Sequence, residues 1–261
     1  MRLSDVEAVR LDNSTPSRPG FKVFPLILAT LLALGLPLAA QQTVSVAAAL
    51  WWPDIEPKRN LLAWLFVHHG VQAALALIAI LAMKRIMVAD FGLRLPWRFG
   101  DVAAAALGAL AISVLFTLMR YLPNIVTGAP PSPDGFMASG GIDGWLVFEG
   151  LYVGPTEEIL FRSLIIGYLA VAMPGVVRVG PIVASRAAVI SALLFGLAHY
   201  GGVGAAAWWQ VLFQMTYAVV LGFFYAYWFE RTGSVVVTAV AHNITDLVAT
   251  LTVFGVAALW H

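Results

Sequence analysis

Long apolar runs alternate with short polar breaks along this chain, at a spacing that sets its architecture. A helix needs about 20 mostly apolar residues to cross the hydrocarbon core of a bilayer. Seven stretches come close to or exceed that length: 21–41, 60–83, 101–121, 145–171, 183–200, 205–229 and 234–258. Val44 to Trp52 is a candidate eighth, short interfacial piece. The pattern predicts an all-α fold, a polytopic transmembrane helical bundle of about seven spans, or eight if that piece crosses. Residues 1–20 read as a polar tail, and 21–261 as a single transmembrane domain with no soluble domain between spans and no internal repeat. The stretch Pro123 to Gly144 is rich in Pro, Gly, Ser and Asp, and Ala129 to Gly135 cannot form a helix interior. It reads as an external loop, either a connector or a lid.

Composition agrees. The chain is 61% hydrophobic and 11% charged, where a soluble domain carries roughly 25% charged residues. A net charge of +1 gives no argument for nucleic acid as a partner. The absence of cysteine removes disulfides, thiolate nucleophiles and Cys-based metal sites together. The first apolar run follows a polar head longer than a secretory signal has, and Leu38-Ala39-Ala40 is a poor cleavage site. We expect an uncleaved first span.

Basic residues set the orientation. Arg2, Arg10, Arg18 and Lys22 precede the first span. Lys84, Arg85, Arg94 and Arg98 follow the second, Arg178 and Arg186 the fourth, and Arg231 the sixth. Only Lys58, Arg59 and Arg120 fall on the other side. The expected protein is a multi-pass integral protein of a bacterial inner or plasma membrane, with a cytoplasmic N-terminus. Trp51, Trp52, Trp97, Trp145 and Trp260 lie near predicted span ends, where tryptophans anchor helices at the interface.

Against this background Glu157-Glu158, with Arg162 four residues on, stands out in apolar sequence. An ionisable group at membrane depth costs several kcal/mol and is retained where it has a function. Glu158 and Arg162 share a helix face and can pair. Glu157 points about 100° away and is not committed to that pair, which suits it to a proton-transfer role. The fifth span ends Phe195-Gly196-Leu197-Ala198-His199, so that Phe195 can shield and orient the imidazole. The seventh holds His242 and, four residues on, Asp246, which can accept from one ring nitrogen and fix the tautomer. Depths at about 1.5 Å per residue bring Glu157, His199 and His242 to mid-membrane or slightly toward the cytoplasm, a lean that extends to substrate access. Glu149, on the same span, reads as a wall or interface residue.

These groups fit hydrolysis. With no serine elbow and no cysteine, water is the attacking group. A Glu paired with a His can deprotonate it, and a second His can stabilise the oxyanion. The same residues, Glu157, His199 and His242, also form a familiar zinc set. No cofactor is the expectation and zinc the alternative.

The three motifs resemble those of the CAAX-type prenyl protease and bacteriocin-processing family of intramembrane endopeptidases: Glu-Glu-x-x-x-Arg at Glu157 to Arg162, Phe-x-x-x-His at Phe195 to His199, and His-x-x-x-Asn/Asp at His242 to Asp246. Pro155-Thr156 before the doublet and Phe161 before the arginine agree as well. The resemblance covers about 150–255, and the protease-like core is expected at about 145–258; the first three spans carry no motif. It implies that Glu157 and His199 activate water, that His242 and Asp246 contribute to the oxyanion site, and that Glu158, Arg162 and Phe195 support them. Ionised Asp cannot donate as the family's Asn can, so Asp246 either orients His242 or is itself protonated. The partners implied are the lipid bilayer and a membrane-associated peptide or protein C-terminal segment as substrate. Two other classes use the same residues: a non-catalytic membrane partner or immunity protein, and a carrier with a mid-membrane ion site. A carrier would show inverted repeats or paired broken helices, and the sequence has neither.

Overall fold

The computed structural model describes residues 23–128, 140–179, 182–202 and 208–258. Among the described residues there are seven helical rods: α1 (Val23–Leu50), α2 (Leu61–Met83), α3 (Phe99–Thr127), α4 (141–172), α5 (Arg186–Ala198), α6 (Trp208–Thr232) and α7 (Val235–Ala258). Five of them (α1, α2, α3, α6 and α7) are long and apolar enough to cross a membrane. α4 is a run of five consecutive segments, two of them π-helical, at Phe148–Tyr152 and Ile159–Ile166. The all-α membrane-type fold is therefore present.

Several boundaries differ from the sequence pattern. α1 continues through Leu50, so Val44 to Leu50 is its last stretch rather than an eighth element; at about 42 Å α1 exceeds the hydrocarbon core. α3 runs through Pro123 to Thr127 and closes on Gly128 in the left-handed conformation, φ 65°. The stretch expected as an external loop thus starts no earlier than Gly128, and its Pro-rich part lies outside the described residues. The run expected to begin the fifth span at residue 183 is instead a strand. β1 (Val176–Val179) and β2 (Ile182–Ser185) pair antiparallel, with Val176 opposite Ser185, ahead of α5. Ser185 ends that hairpin as the N-cap of α5, accepting from the Ala188 N–H at 2.9 Å. Trp145 is buried against Leu62 and Phe148 instead of facing lipid. Trp51, Trp52 and Trp97 are exposed, and Trp260 lies outside the described residues.

The rods alternate between two faces. One is tied together by the Val235 N–H donating to Gly92 O at 2.9 Å, Ser234 Oγ donating to Arg94 O at 2.6 Å, the Arg231–Asp101 ion pair, and Ser185 hydrogen-bonded to Glu230. Most of the described basic residues gather here, and we call it the basic face. At the opposite face the start of α2 meets the start of α4, with Leu62 against Gly140, Gly144 and Trp145. Large apolar side chains such as Leu31, Ile78, Leu81, Leu107 and Leu115 point outward from the bundle, as rods facing acyl chains require. Inside, Leu160, Leu164, Ile165 and Leu169 of α4 pack with Phe195, Tyr225, Val237 and Ala241. α7 lies along α3 and α4, and α5 along α6.

One close approach fixes the registration of α4 on α7. A Cβ added at Gly154 would come within 2.4 Å of Ala239 O and 2.3 Å of Asn243 Oδ1. The Gly154 N–H donates instead to Asn243 Oδ1 at 2.8 Å. Pro155, next in line, has no N–H and crowds the carbonyl four residues back, which belongs to Leu151 in the first π segment. A proline, a glycine and a side-chain amide thereby take α4 off a regular helical path one turn before the glutamate pair. π turns of this kind recur at functional sites.

Candidate active site

The two adjacent glutamates face different surroundings. Glu158 is fully buried. Its Oε1 accepts from His242 Nδ1 at 2.9 Å, and its Oε2 stands 3.0 Å from Arg162 Nε. The Arg162 contact is a charge contact without hydrogen-bond alignment, and the rest of the guanidinium finds no acceptor among the described residues. Its charge lies instead over the rings of Phe195 at 4.6 Å and Tyr225 at 5.3 Å, a favourable desolvated arrangement for a cation.

Glu157 turns the other way. Its Oε1 is 3.8 Å from His69 Nδ1 and its Oε2 is 3.9 Å from His242 Nε2. Both separations exceed hydrogen-bond length, and Oε2 has no hydrogen-bond partner among the described residues. The carboxylate that sequence spacing left uncommitted is thus held between two imidazoles and bound to neither.

His242 is gripped on every side. Nδ1 donates to Glu158, Nε2 stands 3.3 Å from Asp246 Oδ2, the Tyr225 ring stacks on it at 5.0 Å, and Phe195 meets it edge-on at 5.7 Å. Thr245 Oγ1 donates to His242 O, so the Tyr225 hydroxyl, 2.6 Å away, donates to Thr245. His199 ends α5 with its ring 4.6 Å from that of Phe195, and its Nδ1 donates to Phe195 O at 2.7 Å. A carbonyl only accepts, so the proton sits on Nδ1 and a neutral ring keeps the Nε2 lone pair.

Glu149 lies on α4 within electrostatic reach of Asp246 and Glu157, which brings it close to the cluster.

Reading the sequence missed three contributors. His69 is buried in α2, its Nδ1 3.3 Å from Thr156 Oγ1 as well as near Glu157. The Thr156 hydroxyl donates to helix carbonyls, so the imidazole N–H donates to Thr156. Asn243 holds the Gly154 N–H, and Tyr225 backs both His242 and Arg162. The available signal for His69 was an ionisable pair, His68-His69, inside an otherwise apolar run, which marks a functional position by default.

A cavity of about 690 Å³ connects these parts. Glu157, His69, His199 and Phe161 form its inner end, and Trp64, Gln41, Arg120 and Gln214 line its outer walls. Trp64 is near the start of α2 and Arg120 near the end of α3, so the cavity runs from mid-bundle toward the face opposite the basic one. The slight lean toward the basic side inferred from depth does not describe the cavity. A second cavity, of about 800 Å³, lies at the basic face among Asp90, Arg98, Asp101 and Glu230 and holds none of these groups. Among the described residues, no group of three His, Cys, Asp or Glu side chains is placed to hold a metal ion.

Residues 141–248 match the family described as type II CAAX prenyl endopeptidase Rce1-like. The match spans α4 through most of α7 and takes in all three motifs. It implies CAAX-type intramembrane protease chemistry acting on membrane-associated peptides. Comparison with curated proteins and with solved structures gave no match.

Proposed function

We propose that this chain is an intramembrane endopeptidase that hydrolyses a peptide bond in a membrane-associated peptide or protein C-terminal segment, with Glu157 and His199 activating water. The observation that carries the reading is the position of Glu157. It is a carboxylate at the inner end of a cavity, with an imidazole 3.8 Å from one oxygen and another 3.9 Å from the other.

In this mechanism water lies between Glu157 and the Nε2 lone pair of His199. Glu157 takes one water proton while the oxygen attacks the scissile carbonyl carbon. The carbonyl π electrons move onto oxygen, and the resulting oxyanion is stabilised by His242, which Glu158 holds through Nδ1. The oxyanion then re-forms the carbonyl, the C–N bond breaks, and the amine leaves with the proton that Glu157 took. Positioned donors of this kind contribute several kcal/mol in a dry site.

No metal takes part in this mechanism. Glu158 accepts from His242 Nδ1, and the Nε2–H of the imidazolium is the donor left for the oxyanion. The positive-inside rule makes the basic face cytoplasmic, which opens the cavity to the other side of the membrane. The substrate segment is then one presented at that non-cytoplasmic face.

The test is purification in detergent followed by cleavage of a library of lipid-anchored peptides, with and without chelator. Product fragments that persist in chelator support the reading. Loss in chelator with rescue by zinc overturns the metal-free mechanism, and the absence of fragments across the library counts against proteolysis.

A further inference from the structure

α2 carries none of the family motifs, yet one of its faces forms a wall of the cavity. Trp64, His68 and Gln72 follow one another at four-residue intervals, with His69 beside them, and all four line the cavity that ends at Glu157. The Trp64 indole nitrogen, His68 Nδ1 and the Gln72 amide nitrogen are each buried, and none has a hydrogen-bond partner among the described residues. Gln72 is only 3% exposed. Leaving a buried polar group unpaired is costly, so three on one stripe of one helix require a common explanation. The indole N–H and the amide NH2 donate, and the His68 nitrogen serves either way according to its tautomer. Trp64 and His68 stack at 4.9 Å with a 9° angle between planes, which holds both rings in fixed orientations.

Spacing identifies the ligand. Four residues of helix advance about 6 Å, so the three side chains leave the helix at that repeat. Carbonyls on one side of an extended peptide recur every two residues, at about 6.6 Å. We propose that the Trp64–His68–Gln72 stripe is a rail that receives the main-chain carbonyls of an extended substrate segment and leads it from the mouth of the cavity to Glu157. This rests on the proteolytic reading above. The rail recognises backbone rather than side chains, so it fixes the conformation and direction of the substrate and leaves its sequence to the other walls. Gln72 is about 12 Å farther along α2 than Trp64, and the neighbouring His69 already stands 3.8 Å from Glu157. A chain following the rail therefore arrives at the carboxylate.

The experiment uses the full-length protein in detergent and a pool of fluorescein-labelled decapeptides bearing a palmitoyl anchor, read by anisotropy for binding and by fragment release for cleavage. Gln72→Leu and Trp64→Phe each remove one donor and keep most of the shape. Each is expected to raise KM and Kd about three- to tenfold, the range of one net hydrogen bond, with kcat within about twofold. Gln72→Leu also melts no lower than the parent, because it removes an unpaired buried amide. Peptides with esters in place of amides, whose carbonyls accept weakly, bind the parent less tightly and lose little further affinity on a protein carrying both Trp64→Phe and Gln72→Leu. Unchanged binding in both variants, or a fall in kcat at constant KM, overturns the rail. Weakened binding in both variants supports it even if no peptide in the pool is cleaved, a result that would count against the hydrolytic reading alone.

Discussion

Replacing Arg162 by Met strands a buried carboxylate, and the structure sets the cost. Glu158 and Arg162 are both fully buried and 3.0 Å apart. At an effective dielectric near 20, two charges at that distance attract by about 5 kcal/mol. Breaking a buried pair from one side costs about 3–5 kcal/mol. The contact lacks hydrogen-bond alignment, and half of Glu158 remains satisfied by His242 Nδ1, so the lower end, about 3 kcal/mol, applies. For a chain of this size each kcal/mol moves the midpoint by roughly 2–4 °C, so Arg162→Met should lower Tm in detergent by about 6–12 °C. Combining it with Glu158→Leu removes the stranded charge and should recover much of that loss, since apolar replacements of buried pairs are often neutral or better. Recovery stays incomplete because His242 Nδ1–H then has no acceptor, a penalty of about 1–3 kcal/mol. Cleavage does not return in the double variant, because nothing fixes the ring. The assay is a thermal melt of all four proteins with fragment release measured on each. A single-variant shift under about 2 °C, or a double variant melting below both singles, would refute the view that a charged pair organises this core.

Three further outcomes follow from the same geometry. Gly154→Ala sets a methyl within 2.4 Å of Ala239 O, and should lower Tm and reduce cleavage at least tenfold by forcing α4 off α7; unchanged values of both would show that the approach is not needed. His69→Phe keeps the packing against Phe148 but removes the nitrogen near Glu157, and should cut kcat about ten- to a hundredfold, the scale of lost proton-transfer assistance, with Tm nearly constant; a kcat within twofold of the parent would leave His69 a packing residue. Because the chain has no cysteine, single cysteines report sidedness directly. Gln41→Cys should react with a membrane-impermeant maleimide added to the non-cytoplasmic side and Arg98→Cys should not, and the reverse pattern would invert the proposed orientation.

Much of this was legible in the sequence because membrane helices are specified by length and polarity alone. Seven apolar runs became seven rods, and the spacings of four in Glu158–Arg162, Phe195–His199 and His242–Asp246 became contacts because one helical turn brings such residues together. Helix ends were less legible. Pro123 looks like a stop, yet α3 carries on for four residues beyond it, giving up the one bond that an N–H there would make to the Met119 carbonyl. The hairpin did have a signal, Val176-Val177-Arg178-Val179 followed by Gly180-Pro181, but it was overshadowed by the apolar run of α5. Hidden altogether were long-range relations. Nothing local tells that His69 meets Glu157, that Glu158 reaches across to His242, or that Asn243, inside a motif defined by its neighbours, holds the Gly154 N–H. Those contacts depend on how α2, α4 and α7 pack, which spacing along one helix does not encode.

The measurement that tests the central claim most directly is fragment release by the Glu157→Gln protein beside the parent, on the same lipid-anchored peptides, with binding measured on both. The account predicts that the variant inserts, melts near the parent temperature and binds peptide with similar affinity, while release of both fragments falls at least a thousandfold. Fragment release by Glu157→Gln at a rate comparable to the parent's would contradict it, because water would then be activated by some group other than the carboxylate held between His69 and His242.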